Sequence, residues 1–115
     1  MKKINCAIIG SGNIGTDLML KIINTSKSLN LNGMIGIDVE SEGLAMAKSM
    51  KVPISDSGLE GFISMSEYQD TEIFFDATSA GAHQAHHDQV TKDQKQMIDL
   101  TPAAIGPYCV PVVNL

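Results

Sequence analysis

Three glycines near the start of the chain have the spacing of a loop that binds a diphosphate. They belong to the segment Gly-Ser-Gly-Asn-Ile-Gly, which follows an apolar run and opens a stretch of helical periodicity. Gly10 permits a tight turn off a strand, Gly12 has no β-carbon to obstruct a diphosphate, and Gly15 lets a helix pack close to a sheet. Backbone N–H groups at the positive end of the helix dipole would face the diphosphate. The residues of this predicted dinucleotide site are Gly10, Ser11, Gly12, Asn13, Ile14 and Gly15.

An acidic residue completes the pattern at the end of the second predicted strand. Asp38 follows Gly15 by roughly the 20 residues at which dinucleotide-binding domains place a carboxylate for the adenosine ribose. A carboxylate there would repel the 2′-phosphate of NADP, and no arginine lies nearby to neutralise it. The pattern therefore predicts NAD as cofactor. The alternative, that the glycines only cap a turn between a strand and a helix, is disfavoured because strand, helix and acid are all in place.

Two more segments of small residues follow predicted strands. Ala77–Gly81 is predicted to be a loop at the point where the strand order reverses, and Thr101–Ala104 has the corresponding place one strand later. Small residues let a backbone approach a cofactor, so Thr78 and Ser79 are candidate contacts. Either segment could instead be an ordinary connection between a strand and a helix.

Histidines and cysteines offer weaker chemistry. His83, His86 and His87 fall at i, i+3 and i+4 of a predicted helix, a spacing that can hold a transition metal. That helix is otherwise polar and no further ligands are evident, so we expect a solvated face and no metal site. Cys6 lies in an apolar run and is expected to be a buried packing residue. Cys109 lies in a loop, but no histidine is placed to activate it, which favours a structural role.

Composition argues against several classes of function. The chain has 115 residues, a formal charge of −5 and 43% hydrophobic residues, which describes one globular domain spanning 1–115. Clustered Lys/Arg is missing, which argues against nucleic acid and anionic membranes as partners. No run approaches the ~18 apolar residues that cross a bilayer. Two cysteines are too few for a disulfide framework, which predicts a reducing, cytoplasmic location.

Strands and helices are predicted to alternate along the chain. The predicted strands are Ile4–Ile9, Met34–Ile37, a short or edge strand at Val52–Ile54, Ile73–Asp76 and Met97–Leu100. The predicted helices are Asn13–Thr25, one that begins at Ser41, Ser57–Ser64 and a polar surface helix at His83–Lys95. This order requires parallel pairing through right-handed crossovers. The fold class is therefore α/β, a Rossmann-type doubly wound parallel sheet with helices on both faces.

Four segments together resemble the acylating acetaldehyde dehydrogenases. They are Gly10–Leu18, Gly36–Asp38, Phe75–His83 and Asp99–Tyr108, and the likeness extends over essentially the whole chain. The resemblance implies an enzyme that converts an aldehyde, NAD and coenzyme A to an acyl-CoA and NADH. It also implies association with a 4-hydroxy-2-oxovalerate aldolase in the catabolism of aromatic compounds, and a homo-oligomer formed by a domain that follows this one.

The resemblance also assigns individual residues. The NAD diphosphate loop falls on Ser11–Ile14, the ribose-binding acid on Asp38, and the loop after the fourth strand on Thr78, Ser79 and Ala80. The nucleophilic cysteine of the family belongs to a Cys-Gly-Gly-Gln-like segment, which we expect beyond residue 115. This argues against Cys109 as the nucleophile. By itself the chain is expected to bind NAD without turnover.

Two alternatives stay open. One is a stand-alone module that senses a nucleotide or binds a partner. The other is the cofactor domain of a semialdehyde or phosphorylating aldehyde dehydrogenase, against which the stretch Asp99–Tyr108 weighs. Fold alone cannot decide between these chemistries.

Overall fold

Strands and helices alternate along the described part of the chain, residues 3–25, 28–37, 40–78 and 80–99 of the computed structural model. The strands are β1 (Ile4–Ile9), β2 (Leu29–Ile35), β3 (Ile54–Ser55), β4 (Ile73–Asp76) and β5 (Gln96–Asp99). The helices are α1 (Asn13–Thr25), α2 (Glu42–Ser49), α3 (Gly58–Ile63), α4 (Ser66–Asp70) and α5 (Ala80–Lys92). None of these helices is long and apolar enough to span a bilayer.

The five strands pair in parallel in the order β3-β2-β1-β4-β5. The first half of the chain builds outward from β1 to one edge, and the second half builds from β4 to the other edge. The strand order thus reverses between β1 and β4, where Ile9 pairs with Asp76. In such sheets ligands bind at the carboxyl ends of the strands beside this reversal. The predicted α/β fold class is confirmed.

Successive residues of β1 serve two different hydrophobic clusters, because strand side chains alternate between the faces of a sheet. Cys6 and Ile8 face α1 and α2, where they join Leu18, Met19, Ile22, Leu44 and Ala47. Ala7 and Ile9 face the other helices, where they join Leu59, Phe62, Tyr68, Phe74 and Val90. Burial on both faces explains the continuous apolar run of β1.

Cys6 is confirmed as a packing residue. Its side chain is fully buried, and burial raises the pKa of the thiol to about 12. A thiol in such surroundings stays protonated and unreactive at neutral pH.

Strand β2 begins at Leu29, so the prediction that strand structure starts at Met34 was wrong. Leu29 and Leu31 are buried while Asn30 is exposed, the alternation of a strand with one face on the core. Its register shifts at Asn32, a β-bulge. The Asn32 amide donates to the Glu67 carbonyl at 2.9 Å. This long-range bond explains why a polar residue is accommodated inside a strand.

The second half of the chain departs from prediction at several boundaries. Helix α5 begins at Ala80 rather than His83, so the predicted loop Ala77–Gly81 is shorter. It ends at Lys92, and it is not only a surface helix because Val90 is fully buried. Helix α4 was not predicted. Strand β3 lies at the edge of the sheet, as expected, but at Ile54–Ser55 rather than Val52–Ile54.

Candidate functional site

The turn between β1 and α1 is shaped by two glycines. Gly10 has a φ of 112°, and a Cβ built on it would lie 3.0 Å from the backbone carbon of Ala77. A Cβ on Gly15 would lie only 1.9 Å from the Gly10 carbonyl oxygen. Helix α1 therefore starts in direct contact with the turn that precedes it. The tight turn predicted at Gly10 is confirmed, and Gly15 lets α1 approach this turn and, with Ile8 Cγ2 3.3 Å from its Cβ position, strand β1.

Gly12 differs from these two glycines because its side-chain position faces open space. A Cβ built there meets no atom within 4 Å. The Gly12 carbonyl oxygen accepts the first hydrogen bond of α1, from the Thr16 N–H at 2.9 Å. The N–H groups at the start of a helix have no partner inside it. The turn therefore presents a small concavity, lined by backbone, at the positive end of α1.

Ser11 ties this turn to the start of α2. The Ser11 hydroxyl oxygen lies 2.8 Å from that of Ser41, which caps α2. The Ser11 carbonyl accepts a hydrogen bond from the Thr16 hydroxyl at 3.3 Å. Gly43 lies so close that a Cβ on it would be 2.3 Å from the same carbonyl oxygen. The side chain and the carbonyl of Ser11 thus both hold the turn in place against α1 and α2.

A cleft of about 410 Å³ opens beside the glycine turn. Its apolar walls are formed by Ile9, Ile35, Ile37 and Leu59, and its polar side chains are Ser11, Thr78 and His86. Ile37 is 86% exposed and so presents apolar surface to the cleft. Among the described residues that line the cleft, His86 is the one with an ionisable side chain. The cleft therefore combines an apolar interior with a few polar groups.

A buried carboxylate lies behind the cleft. Asp76 ends β4 and is fully buried. One of its oxygens accepts hydrogen bonds from the backbone N–H of Thr78, at 2.9 Å, and from the Thr78 hydroxyl. The other lies 3.1 Å from Nδ1 of His86. Burial raises the pKa of Asp76, but the hydrogen bonds from His86 and Thr78 outweigh it and hold the pKa at about 2.

The expectation of a solvated histidine face was wrong for His86. Its side chain is 19% exposed and is oriented by Asp76, because α5 packs over the end of β4. Within the described ranges no group of three His, Cys, Asp or Glu side chains could hold a metal ion. The contact between Asp76 and His86 was missed from the sequence. An acid at the end of a buried strand, with a histidine on the next helix, is the signal that could have found it.

The structure brings several predicted site residues to one edge of the sheet. Gly10, Ser11 and Gly12 line the cleft together with Thr78. Asn13 begins α1 and Ala80 begins α5. Ile14 and Gly15 follow in the first turn of α1. The predictions for Asp38, Ser79, Thr101–Ala104 and Cys109 concern positions outside the described residues.

Comparison with known proteins agrees with this geometry. The family model described as "Semialdehyde dehydrogenase, NAD binding domain" matches residues 5–115. Acetaldehyde dehydrogenase 2 of Novosphingobium aromaticivorans is 56% identical over 114 residues, 99% of this chain and 36% of that protein. Acetaldehyde dehydrogenase 1 of a Parafrankia species is 55% identical over 113 residues, 98% of this chain and 35% of that protein. The chain thus spans about a third of the length of these relatives.

A solved structure shares the fold. The crystal structure of GenD2 from gentamicin A biosynthesis, in complex with NAD, superposes with a TM-score of 0.71 and 15% sequence identity. The match covers 86% of this chain and 27% of that one. The resemblance to acetaldehyde dehydrogenases is confirmed by the relatives, and the NAD-binding domain by the family model. The chain belongs to the family of semialdehyde dehydrogenase NAD-binding domains.

Proposed function

We propose that the chain is the N-terminal NAD-binding domain, residues 1–115, of an enzyme that converts acetaldehyde, coenzyme A and NAD to acetyl-CoA and NADH. The observation that carries the proposal is the open concavity at Gly12, at the start of α1 and beside the reversal of strand order. A diphosphate requires backbone N–H groups that no side chain obstructs, and this turn provides that arrangement.

Each candidate residue has a distinct task in this proposal. The backbone of Gly10–Gly15 receives the diphosphate, and the carboxylate of Asp38 accepts hydrogen bonds from the adenosine ribose. Thr78, Ser79 and Ala80 approach the cofactor from the end of β4. When bound, NAD supplies an acceptor for the hydride that leaves the aldehyde carbon. The chain's contribution is to bind and orient the cofactor and to keep water from the apolar cleft.

The remaining steps belong to the longer protein. A cysteine thiolate beyond residue 115 attacks the aldehyde carbonyl, and coenzyme A later takes the acyl group from that sulfur. We also propose a homo-oligomer, a 4-hydroxy-2-oxovalerate aldolase as partner, a role in aromatic catabolism and a cytoplasmic location. The similarity to named acetaldehyde dehydrogenases over nearly the whole chain supports these proposals.

A substitution at Gly12 tests the cofactor site. Because a Cβ added at Gly12 meets no protein atom within 4 Å, Gly12→Val should leave the unfolding temperature within about 2 °C of the original. Its isopropyl group would occupy the diphosphate position, so NAD affinity measured by calorimetry should fall by at least about tenfold. Gln69→Val, on the exposed surface of α4, is the matched control and should change neither quantity. Unchanged NAD affinity in Gly12→Val would refute the assignment.

The substrate is tested with the longer protein. The description of the family model favours a second candidate, the oxidation of a semialdehyde. NADH formation should require acetaldehyde and coenzyme A, and the 115-residue chain alone should form none. Faster NADH formation with aspartate semialdehyde and phosphate would establish the second candidate instead. Turnover by the isolated chain, abolished in Cys109→Ala, would contradict the proposed location of the nucleophile.

A further inference from the structure

His86 is held in a defined orientation at the wall of the cleft. Its Nδ1 pairs with a fully buried carboxylate at 3.1 Å, and that carboxylate is fixed in turn by Thr78. Within the described part of the chain, no group forms a hydrogen bond with Nε2 of His86. One ring nitrogen is therefore used to position the imidazole, and the other remains for a ligand.

The buried carboxylate also determines which nitrogen carries the proton. Asp76 is ionised at neutral pH, because its pKa is held at about 2, and an ionised carboxylate can only accept hydrogen bonds. Nδ1 must then be the donor. In the neutral imidazole this leaves Nε2 with a lone pair and no hydrogen, so Nε2 is a hydrogen-bond acceptor.

The surroundings of this acceptor indicate what kind of group it meets. Ile9, Ile35, Ile37 and Leu59 give the cleft apolar walls, with Ile9 and Ile35 buried beneath its surface and Ile37 largely exposed. These walls suit a flat ring that is apolar on its faces and polar at its edge. A diphosphate would instead lose hydration against them without compensation. Nicotinamide is also a flat ring with an amide donor, but the cleft is lined by the end of β2, which the predicted ribose-binding acid Asp38 follows in sequence. The purine is therefore the half of NAD that reaches the cleft, and its exocyclic amino group is a donor.

We propose that His86 recognises the adenine base, with Nε2 accepting a hydrogen bond from the 6-amino group, and that Asp76 is the positioning residue that fixes the ring for this contact. The inference rests on the proposed NAD site and adds how that site recognises the base of the cofactor. It predicts discrimination against hypoxanthine, whose 6-oxo group is an acceptor and would face another acceptor. His86 is thus a specificity-determining residue.

Calorimetry with two dinucleotides tests the contact. The chain should bind NAD about tenfold more tightly than nicotinamide hypoxanthine dinucleotide, the effect of about one hydrogen bond. In His86→Phe, which keeps a planar ring but has no Nε2, the preference should fall below about twofold. His87→Phe is the matched control, since His87 does not line the cleft, and it should keep the full preference. An unchanged preference in His86→Phe would overturn the proposal.

Nitrogen spectra of the unaltered chain keep the proposal testable if His86→Phe does not fold. The histidine-ring ¹⁵N signals should show His86 protonated at Nδ1, and Nε2 should shift on addition of AMP but not of nicotinamide mononucleotide. Asp76→Asn should weaken this tautomer preference. The opposite tautomer, or a shift with nicotinamide mononucleotide alone, would refute the role of His86. Failure of both NAD and AMP to bind would refute the NAD site itself.

Discussion

The polar groups at the two ends of the parallel strands, called the amino edge and the carboxyl edge below, have different roles. At the edge formed by the amino ends of the strands, the Lys95 ammonium donates to the Thr71 carbonyl at 2.7 Å and lies 4.5 Å from the centre of the Tyr68 ring. The Tyr68 hydroxyl donates to Asp93. At the opposite edge, Ser11 and Gly12 before α1 line a cleft together with His86.

This difference separates polar groups that hold the structure from polar groups that can serve a ligand. At the amino edge, the side chains of Lys95 and Tyr68 are engaged with each other, with the backbone and with Asp93. At the carboxyl edge, Asp76 and Ser11 are engaged within the protein, and Asp76 positions His86, which lines the cleft. The contrast predicts that substitutions at one edge change mainly stability and that substitutions at the other divide between stability and binding.

The largest effect on the free energy of unfolding is expected at Gly15, a residue of the carboxyl edge that packs tightly against the protein. A methyl group in Gly15→Ala would collide with the Gly10 carbonyl oxygen, and the displacement of α1 should lower the free energy of unfolding by about 3 kcal/mol. Urea denaturation measures this change. Gly12→Ala, three residues earlier, should change it by less than about 0.5 kcal/mol. Equal losses in the two variants would break the distinction between a packing glycine and a binding glycine.

Acid titration of Asp76 should give the next largest effect. Because its pKa is lowered from 3.8 to about 2 in the folded chain, its ionised form stabilises the fold above pH 4. This contribution, about 2 kcal/mol, is lost as the pH falls through 2. The difference in unfolding free energy between the original chain and Asp76→Asn should therefore shrink between pH 5 and pH 2. A constant difference over this range would mean that the buried charge contributes nothing.

The smallest effect is expected at the amino edge. Tyr68→Phe removes the hydroxyl that donates to Asp93 but keeps the buried ring, so unfolding should become easier by about 1 kcal/mol. NAD affinity should not change. Calorimetry of NAD binding alongside urea denaturation checks both statements. A loss of affinity in Tyr68→Phe would show that the two edges are coupled.

Sequence patterns predicted an element well where it buries one face, as α1 does, or is buried along most of its length, as β1 is. The apolar stripe of α1 correctly predicted where that helix begins and ends, and the apolar run of β1 correctly predicted that strand. The first half of β2 was missed because a bulge at Asn32 and two exposed or half-buried asparagines hide its alternation. The start of α5 was missed because Ala80 and Gly81 give no helical periodicity.

The candidate site was predictable only where it is local in sequence. The glycine turn was found because its residues are adjacent and their spacing has a physical meaning. The contact between His86 and Asp76 depends on how α5 packs across the end of β4, which no spacing rule states. Asp38 stays a prediction from its position after β2.

The central place of β1 has a consequence for how the chain is made. Of the described strands, β1 leaves the ribosome before the others, and β2 can pair with one of its edges soon afterwards, as Ile4 with Leu29. Its other edge must wait for β4, since Cys6 pairs with Ile73. During that interval an apolar strand exposes unpaired backbone groups, which is the state in which nascent chains aggregate. We therefore expect the tendency of the nascent chain to aggregate to fall once β4 has emerged.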